Sequence, residues 1–269
     1  MRRPRRPRLR GLSVNALIPN ALTVLGLCMG LTSIRFALLD RWELAVGAII
    51  AAGIIDGLDG RVARILKAST EFGAELDSLS DFLCFGVAPA IVLYLWTLDE
   101  GGGAGWIVAL FFSVCMALRL ARFNANLART DRPAWASHYF VGLPAPSASG
   151  VVLLPMMLSF EFGGAGIVGH PFVVGLYTIG VALLVVSTVP MYSGKGIKLR
   201  QRHVLPVLML VGLTFAAVVA YPWHVFSVLA IGYVGSIPFS VRSYRRLKGE
   251  AARSAPDDGD SGSDEIAEK

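Results

Sequence analysis

The chain is predicted to fold as an all-α, polytopic membrane bundle of about eight transmembrane helices. Composition gives the first reason, since 54% of the 269 residues are hydrophobic and only 16% are charged, with a mean hydropathy of +0.60. Soluble domains do not carry that balance. The second reason is length. Apolar runs recur near 20 residues, which is what a helix rising about 1.5 Å per residue needs to cross a hydrocarbon core of roughly 30 Å. The third is the sign asymmetry of the loops between those runs, taken up below.

The runs fall at 20–39, 42–66, 73–98, 104–124, 144–160, 166–190, 203–221 and 224–242. Before the first lies an arm with six arginines in ten residues. A charged start before an apolar run resembles a signal peptide. However, TVLGLCMGLTSIRFALL is too long, lacks a small-residue cleavage site and precedes further spans, so it reads as a retained first helix. GLSVNALIP, at 11–19, is predicted as a short amphipathic helix at the membrane interface, ending before Pro19. The second and third runs carry acidic residues, and the fourth closes on RLARFN. The fifth is short and holds Pro144, Pro146 and Pro155. After Arg253, SAPDDGDSGSDEIAEK is acidic, rich in Ser and Gly, and expected to be disordered. The predicted organisation is a basic arm over 1–19, a transmembrane domain over 20–247 and an acidic tail over 248–269, with no internal repeat.

Lys and Arg placement orients the chain. The arm, the turn holding Arg61, Arg64 and Lys67, the loop with Arg119, Arg122, Arg129 and Arg132, the loop with Lys195, Lys198, Arg200 and Arg202, and the tail with Arg242, Arg245, Arg246 and Lys248 are basic. Under an eight-span count all five fall on one side, so both termini are expected in the cytoplasm and the protein in the cytoplasmic (inner) membrane. The net charge of +6 comes with positives at helix ends and no nucleic-acid-binding motif. Attraction to anionic lipid headgroups accounts for it, and no nucleic-acid partner is expected. Cys28, Cys84 and Cys115 have neither disulfide-framework nor metal spacing and read as small packing residues. The histidines, His138, His170, His203 and His224, likewise show no ligand spacing.

Four aspartates carry the chemistry. Asp56 and Asp59 are three apart on the second run, and Asp77 and Asp81 are four apart on the third, so each pair shares a helix face. One ionised Asp at a helix centre in lipid costs roughly 2.5–3.5 kcal/mol, and four on adjacent helices also repel. An all-oxygen set of this kind suits a hard divalent ion, Mg²⁺ or Mn²⁺, with two ions the natural number for four ligands. The connection between the two runs is short and lies on the cytoplasmic side, which opens the carboxylates to water-soluble substrates. Gly57 and Gly60 permit close backbone approach, Arg64 follows Asp59 by five residues, and Gly73 relaxes the turn before Asp77. A phosphate-bearing ligand fits these neighbours. Each feature alone has a plainer reading, a packing glycine or a topology charge.

The full pattern, Asp56-x2-Asp59-Gly60-x2-Ala63-Arg64-x8-Gly73-x3-Asp77-x3-Asp81, resembles the signature of the CDP-alcohol phosphatidyltransferase family without a departure at any position. The resemblance implies a helical membrane fold, usually a homodimer, in which the aspartates hold two divalent ions that meet the pyrophosphate of a CDP-linked lipid. Carried to this chain, it makes Asp56, Asp59 and Asp77 ligands of one ion, Asp77 and Asp81 ligands of the other, and Asp81 the base that takes a proton from the attacking alcohol. It places Gly60, Arg64, Thr70 and Gly73 at the CDP moiety. Pro19-Asn20-Ala21-Leu22-Thr23 is similar to the family's nucleotide-contacting start of the first span, which adds Asn20 and Thr23; Asn20 also fits a helix cap.

Further segments are similar to the serine-using branch of that family, the bacterial type II phosphatidylserine synthases: IPNALTVLGLCMG, EFGAELDSLSDFLCFGVAPA, RLARFN, YFVGLPAPSASG and MYSGKGIK. They span about residues 14–200. The resemblance implies CDP-diacylglycerol and L-serine as substrates, with phosphatidylserine and CMP as products. Arg119, Arg122 and Asn124, and secondarily Lys195 and Lys198, are the candidates for holding a zwitterionic acceptor. Two alternatives stay open: the same fold with glycerol 3-phosphate, choline or an inositol phosphate as acceptor, and a cation transporter whose aspartates bind the transported ion.

Overall fold

The computed structural model describes residues 14–68, 70–127, 139–163, 166–187, 190–192 and 204–253. Three of its helical segments are long and apolar enough to cross a membrane, Leu17–Ala37, Glu71–Trp96 and Gly103–Ala125, and three shorter apolar helices cover Pro171–Val186, Leu205–Ala220 and Pro222–Ile237.

Helices α1 (Val14–Ala37) and α2 (Trp42–Ile65) form an antiparallel pair and the most extensive helix contact among the described residues. The turn between them closes α1 with Asp40 in the left-handed region at φ 57°. Arg41 N donates to Phe36 O and Asp40 N to Ala37 O, which satisfies two carbonyls that the helix end leaves open. The end of α2 repeats the device: Lys67 sits at φ 49°, Ala68 N donates to Ala63 O and Lys67 N to Arg64 O. The predicted interfacial helix does not stop before Pro19: α1 runs through that proline, at the loss of one backbone hydrogen bond and with crowding of the carbonyl four residues earlier.

The third span is composite. Helix α3 (Glu71–Asp81) is capped at its start by Thr70, whose hydroxyl accepts from Gly73 N. It widens into a π-helical turn over Phe82–Val87 and resumes as α4 (Ala88–Trp96). Helix α5 (Gly103–Leu127) follows a short 3₁₀ turn at Leu98–Gly101. Ser113 Oγ of α5 donates to Gly86 O in the π turn. The common core gathers Phe85, Leu93, Phe112 and Met116 from these elements with Met156, Val174 and Val185 from those that follow.

The expected span at 144–160 is two short helices, α6 (Ala145–Val152) and α7 (Leu154–Glu161), broken at Leu153. Pro155 removes a backbone donor there, and proline also opens each helix. Helix α8 (Pro171–Val186) starts later than predicted, with His170 as its cap: its Nδ1 accepts from Phe172 N at 3.3 Å. Tyr177 of α8 donates to Val151 O of α6 at 2.7 Å. One feature lies outside the all-α expectation, a two-stranded antiparallel ladder of β1 (Tyr139–Val141) and β2 (Pro190–Tyr192), with Tyr139 opposite Tyr192. Three residues per strand leave too little alternation to see in a sequence. Helices α9 (Val204–Ala220) and α10 (Pro222–Arg253) complete the chain. The apolar side chains of α9 are exposed almost throughout, Leu205 to Val219, as suits a helix facing lipid rather than a protein core.

Where α1 meets the third span, contact is made through small residues. Ser80 Oγ donates to Thr23 O at 3.4 Å, and Cys84 Sγ lies 3.3 Å from Gly26 O. A methyl group added at Gly30 would sit 2.6 Å from Cys84 Sγ and 3.1 Å from Cys84 Cα. Backbone cannot yield as a side-chain tip can. Gly30→Ala is therefore expected to destabilise the fold by about 1–3 kcal/mol through overpacking, even though alanine favours helix by roughly 1 kcal/mol. Thermal melting in detergent checks this; an unchanged or raised midpoint would mean that the α1 contact has room for a methyl group.

Candidate active site

The two helices that carry the signature meet as the spacing requires. One carboxylate oxygen from each of Asp56, Asp59 and Asp77 lies within 4.8 Å of the others. At that separation and an effective dielectric of about 20, each ionised pair repels by roughly 3 kcal/mol. Among the described residues no lysine or arginine forms an ion pair with any of the four aspartates. Asp81, one turn beyond Asp77, is in hydrogen-bond contact with Asp56. Two carboxylates in contact require a shared proton or a cation between them. A donor set of oxygens alone, converging from two helices with no ion-paired cation among the described residues, fits a hard divalent ion.

The surroundings hold the carboxylates in place. Asp59 is only 5% exposed, and Thr23 of α1 donates to its Oδ2 at 2.7 Å while lying 3.0 Å from Pro19 O. Thr23, expected at the nucleotide, thus also orients a site carboxylate. Asn20 lies inside α1 and not at its end, so a capping role does not apply to it. A Cβ at Gly73 would meet Asn20 Oδ1 at 2.8 Å and Thr70 Oγ1 at 3.1 Å, so glycine lets α3 start directly against α1. Thr70 serves as the cap of α3.

A cavity of about 660 Å³ opens on this arrangement, lined by Pro19 and Thr23, by Asp59, Gly60, Ala63 and Arg64, and by Thr70, Gly73, Ala74 and Asp77. Nothing lies within 4 Å of a Cβ built on Gly60, so the open side faces the cavity without steric need for glycine. Arg64 is exposed and its Nε donates to Gly60 O at 3.0 Å. That leaves the rest of its guanidinium for an anion in the cavity. The volume is in the range of small-molecule sites.

The acceptor candidates separate by environment. Arg122 donates to Val186 O at 2.8 Å and Ser187 O at 3.1 Å, which ties α5 to the end of α8. Asn124 donates to Ser78 at 3.0 Å, one residue from Asp77. Arg119 is only 8% exposed and faces Asp81. Lys195 and Lys198 lie outside the described residues, as do His138 and His203. Two residues here were not singled out from the sequence: Tyr233 of α10, which faces Arg119, and Ser147 of α6, which lies beside Tyr233. A lone tyrosine in the apolar stretch AIGYVGS was their one signal. His224, which shows no ligand spacing in the sequence, pairs with Glu161 at 2.8 Å and joins α10 to α7. Cys28, Cys84 and Cys115 are free thiols.

Comparison with known proteins agrees with this geometry. The family model described as CDP-alcohol phosphatidyltransferase matches residues 16–189, and one described as CDP-alcohol phosphatidyltransferase 2 matches residues 202–238. A protein of Mycobacterium tuberculosis is 40% identical over 238 residues, 88% of this chain and 82% of its own length. One of Mycobacterium leprae is 40% identical over 242 residues, 90% and 80% of the two chains. One of Helicobacter pylori is 33% identical over 200 residues, 74% and 81%. All three relatives bear the name CDP-diacylglycerol–serine O-phosphatidyltransferase. With the family model covering most of the chain and the signature carboxylates converging on one cavity, this chain belongs to the CDP-alcohol phosphatidyltransferase family.

Proposed function

We propose that the protein is a phosphatidylserine synthase, transferring the phosphatidyl group of CDP-diacylglycerol to the hydroxyl of L-serine. The observation that carries the reading is the convergence of Asp56, Asp59 and Asp77 on one cavity, in a chain whose relatives along most of its length are named for those two substrates. The serine oxygen attacks the lipid-side phosphorus, the bond from that phosphorus to the CMP oxygen breaks, and CMP leaves with the electron pair. The serine proton passes to Asp81.

In this reading Asp56, Asp59, Asp77 and Asp81 hold two divalent ions, Mg²⁺ or Mn²⁺. Bound there, the ions supply neutralisation of the pyrophosphate and of the charge that develops on the departing CMP. Thr23 fixes Asp59. Arg64, Asn20, Gly60, Thr70 and Gly73 hold the nucleotide end of the lipid, with the Arg64 guanidinium pairing with phosphate. A carboxylate is a weak base toward an alcohol, so Asp81 receives the proton late, as the new bond to phosphorus forms. Much of the rate then rests on positioning and charge stabilisation.

The reading also takes in eight crossings of the cytoplasmic membrane, with the site and both termini on the cytoplasmic side, a catalytic domain over 20–247, and a homodimer. Loop charge supports the orientation.

The test is CMP release from CDP-diacylglycerol by the purified protein with divalent metal, with serine, glycerol 3-phosphate, choline and inositol phosphate supplied one at a time. Serine-dependent CMP release with phosphatidylserine formed is the expected result. Release only with another alcohol removes the acceptor, and divalent-cation flux without CMP release would favour transport.

A further inference from the structure

Arg119 is a buried cation that forms no ion pair among the described residues. It projects from α5, is 8% exposed, and its Nε has no hydrogen-bond partner among the described residues. Asp81 of α3 faces it without forming an ion pair. Tyr233 faces it from α10, and Arg122, already tied to two backbone carbonyls, adds like charge. The Tyr233 hydroxyl is buried and lies within hydrogen-bonding reach of Ser147 of α6. The Phe123 ring lies 5.9 Å from the guanidinium carbon. A buried charge left without an ion pair is costly unless a ligand completes it.

We infer that Arg119, together with Tyr233 and Ser147, forms the subsite that recognises the carboxylate of the acceptor, and so selects an amino acid over neutral alcohols. The inference rests on the phosphatidylserine synthase reading and adds the basis of its specificity. A molecule bridging Asp81 and Arg119 must present a hydroxyl at one end and an anion at the other, a few bonds apart. A β-hydroxy amino acid has that layout. One free guanidinium flanked by neutral hydroxyls matches a monoanionic carboxylate, whereas a phosphate dianion would call for more than one available cation. A site built to hydrogen-bond a group rejects the analogue that lacks it far more strongly than an apolar pocket does.

Steady-state kinetics of the full-length protein with CDP-diacylglycerol test this, with Arg119→Gln, Arg119→Lys and Tyr233→Phe beside the wild type. The serine KM is read against the inhibition constant of serinol, in which a hydroxymethyl group replaces the carboxylate. CDP-diacylglycerol binding is measured separately as a check on folding. Arg119→Gln is expected to raise the serine KM by about a hundredfold, to change kcat less, and to move the serinol constant little, so that the preference for serine collapses. Arg119→Lys should recover part of it, and Tyr233→Phe should lose about tenfold. Serine preference kept in Arg119→Gln and Tyr233→Phe overturns the inference and leaves the synthase reading standing. So does loss of CDP-diacylglycerol binding in both Arg119 variants, which would mark the arginine as structural. A wild type that uses another alcohol and not serine overturns both.

Discussion

Asp81→Asn is expected to cut phosphatidyl transfer by about 10²–10⁴-fold, the range typical of losing a positioned general base, while CDP-diacylglycerol still binds. The substitution keeps the shape of the side chain and removes its ability to take a proton. Asp81 is not among the three carboxylates that converge within 4.8 Å. It lies one turn along α3, against Asp56 on one side and facing Arg119 on the other. That position suits a group standing between the phosphate end of the site and the acceptor. Single-turnover CMP release together with calorimetric binding of the CDP-lipid separates the two effects. A variant that turns over at the wild-type rate would remove the base assignment, and one that fails to bind CDP-lipid would make Asp81 chiefly a ligand for cation and donor.

The second large effect is expected at Asp56. Asp56→Asn takes one charge from the converging trio and should shift the divalent-metal concentration needed for activity upward by more than the 10–100-fold that even outer-shell partners of a metal cost. Chelation should silence the wild type, and added Mg²⁺ or Mn²⁺ should restore it. The loss should appear first in metal-dependent CDP-lipid binding, in contrast to Asp81→Asn. Metal titrations of binding and of CMP release, run side by side, read the difference. An Asp56→Asn protein with unaltered metal dependence would mean that the ions are held elsewhere.

Much of this site could be read from the sequence because its parts are close along the chain. Asp56 and Asp59, and Asp77 and Asp81, are paired by helical periodicity alone, and the short connection leaves the two pairs little choice but to meet. The structure sets Asp56, Asp59 and Asp77 together on that basis. The first four apolar runs also correspond closely to α1, α2, the composite third span and α5. What was not legible depends on distant residues or on interruptions of regular structure. Arg119 of α5 faces Tyr233 of α10, which lies beside Ser147 of α6, and no local spacing announces these approaches. The stretch 144–160 shows its prolines plainly, yet whether they bend one helix or divide it into α6 and α7 is decided by packing around Leu153, which is 1% exposed. The β1–β2 ladder is too short for any periodic signal.

The π-helical turn at Phe82–Val87 has a consequence for how the third span divides its work. There Ala88 N reaches back to Leu83 O, five residues earlier, so the turn accommodates one residue more than an α-helix would. Since each α-helical residue advances about 100° around the axis, the inserted residue resets the angular phase between the half that carries Asp77 and Asp81 and the half that packs Leu93 and Val92 into the core. One end of the rod is indexed to the ligands, the other to the bundle. Evolution can then tune the azimuth of the reactive end without renegotiating the anchor, and deleting a single residue within the turn would bring the two halves back into step and swing the aspartates away from α2.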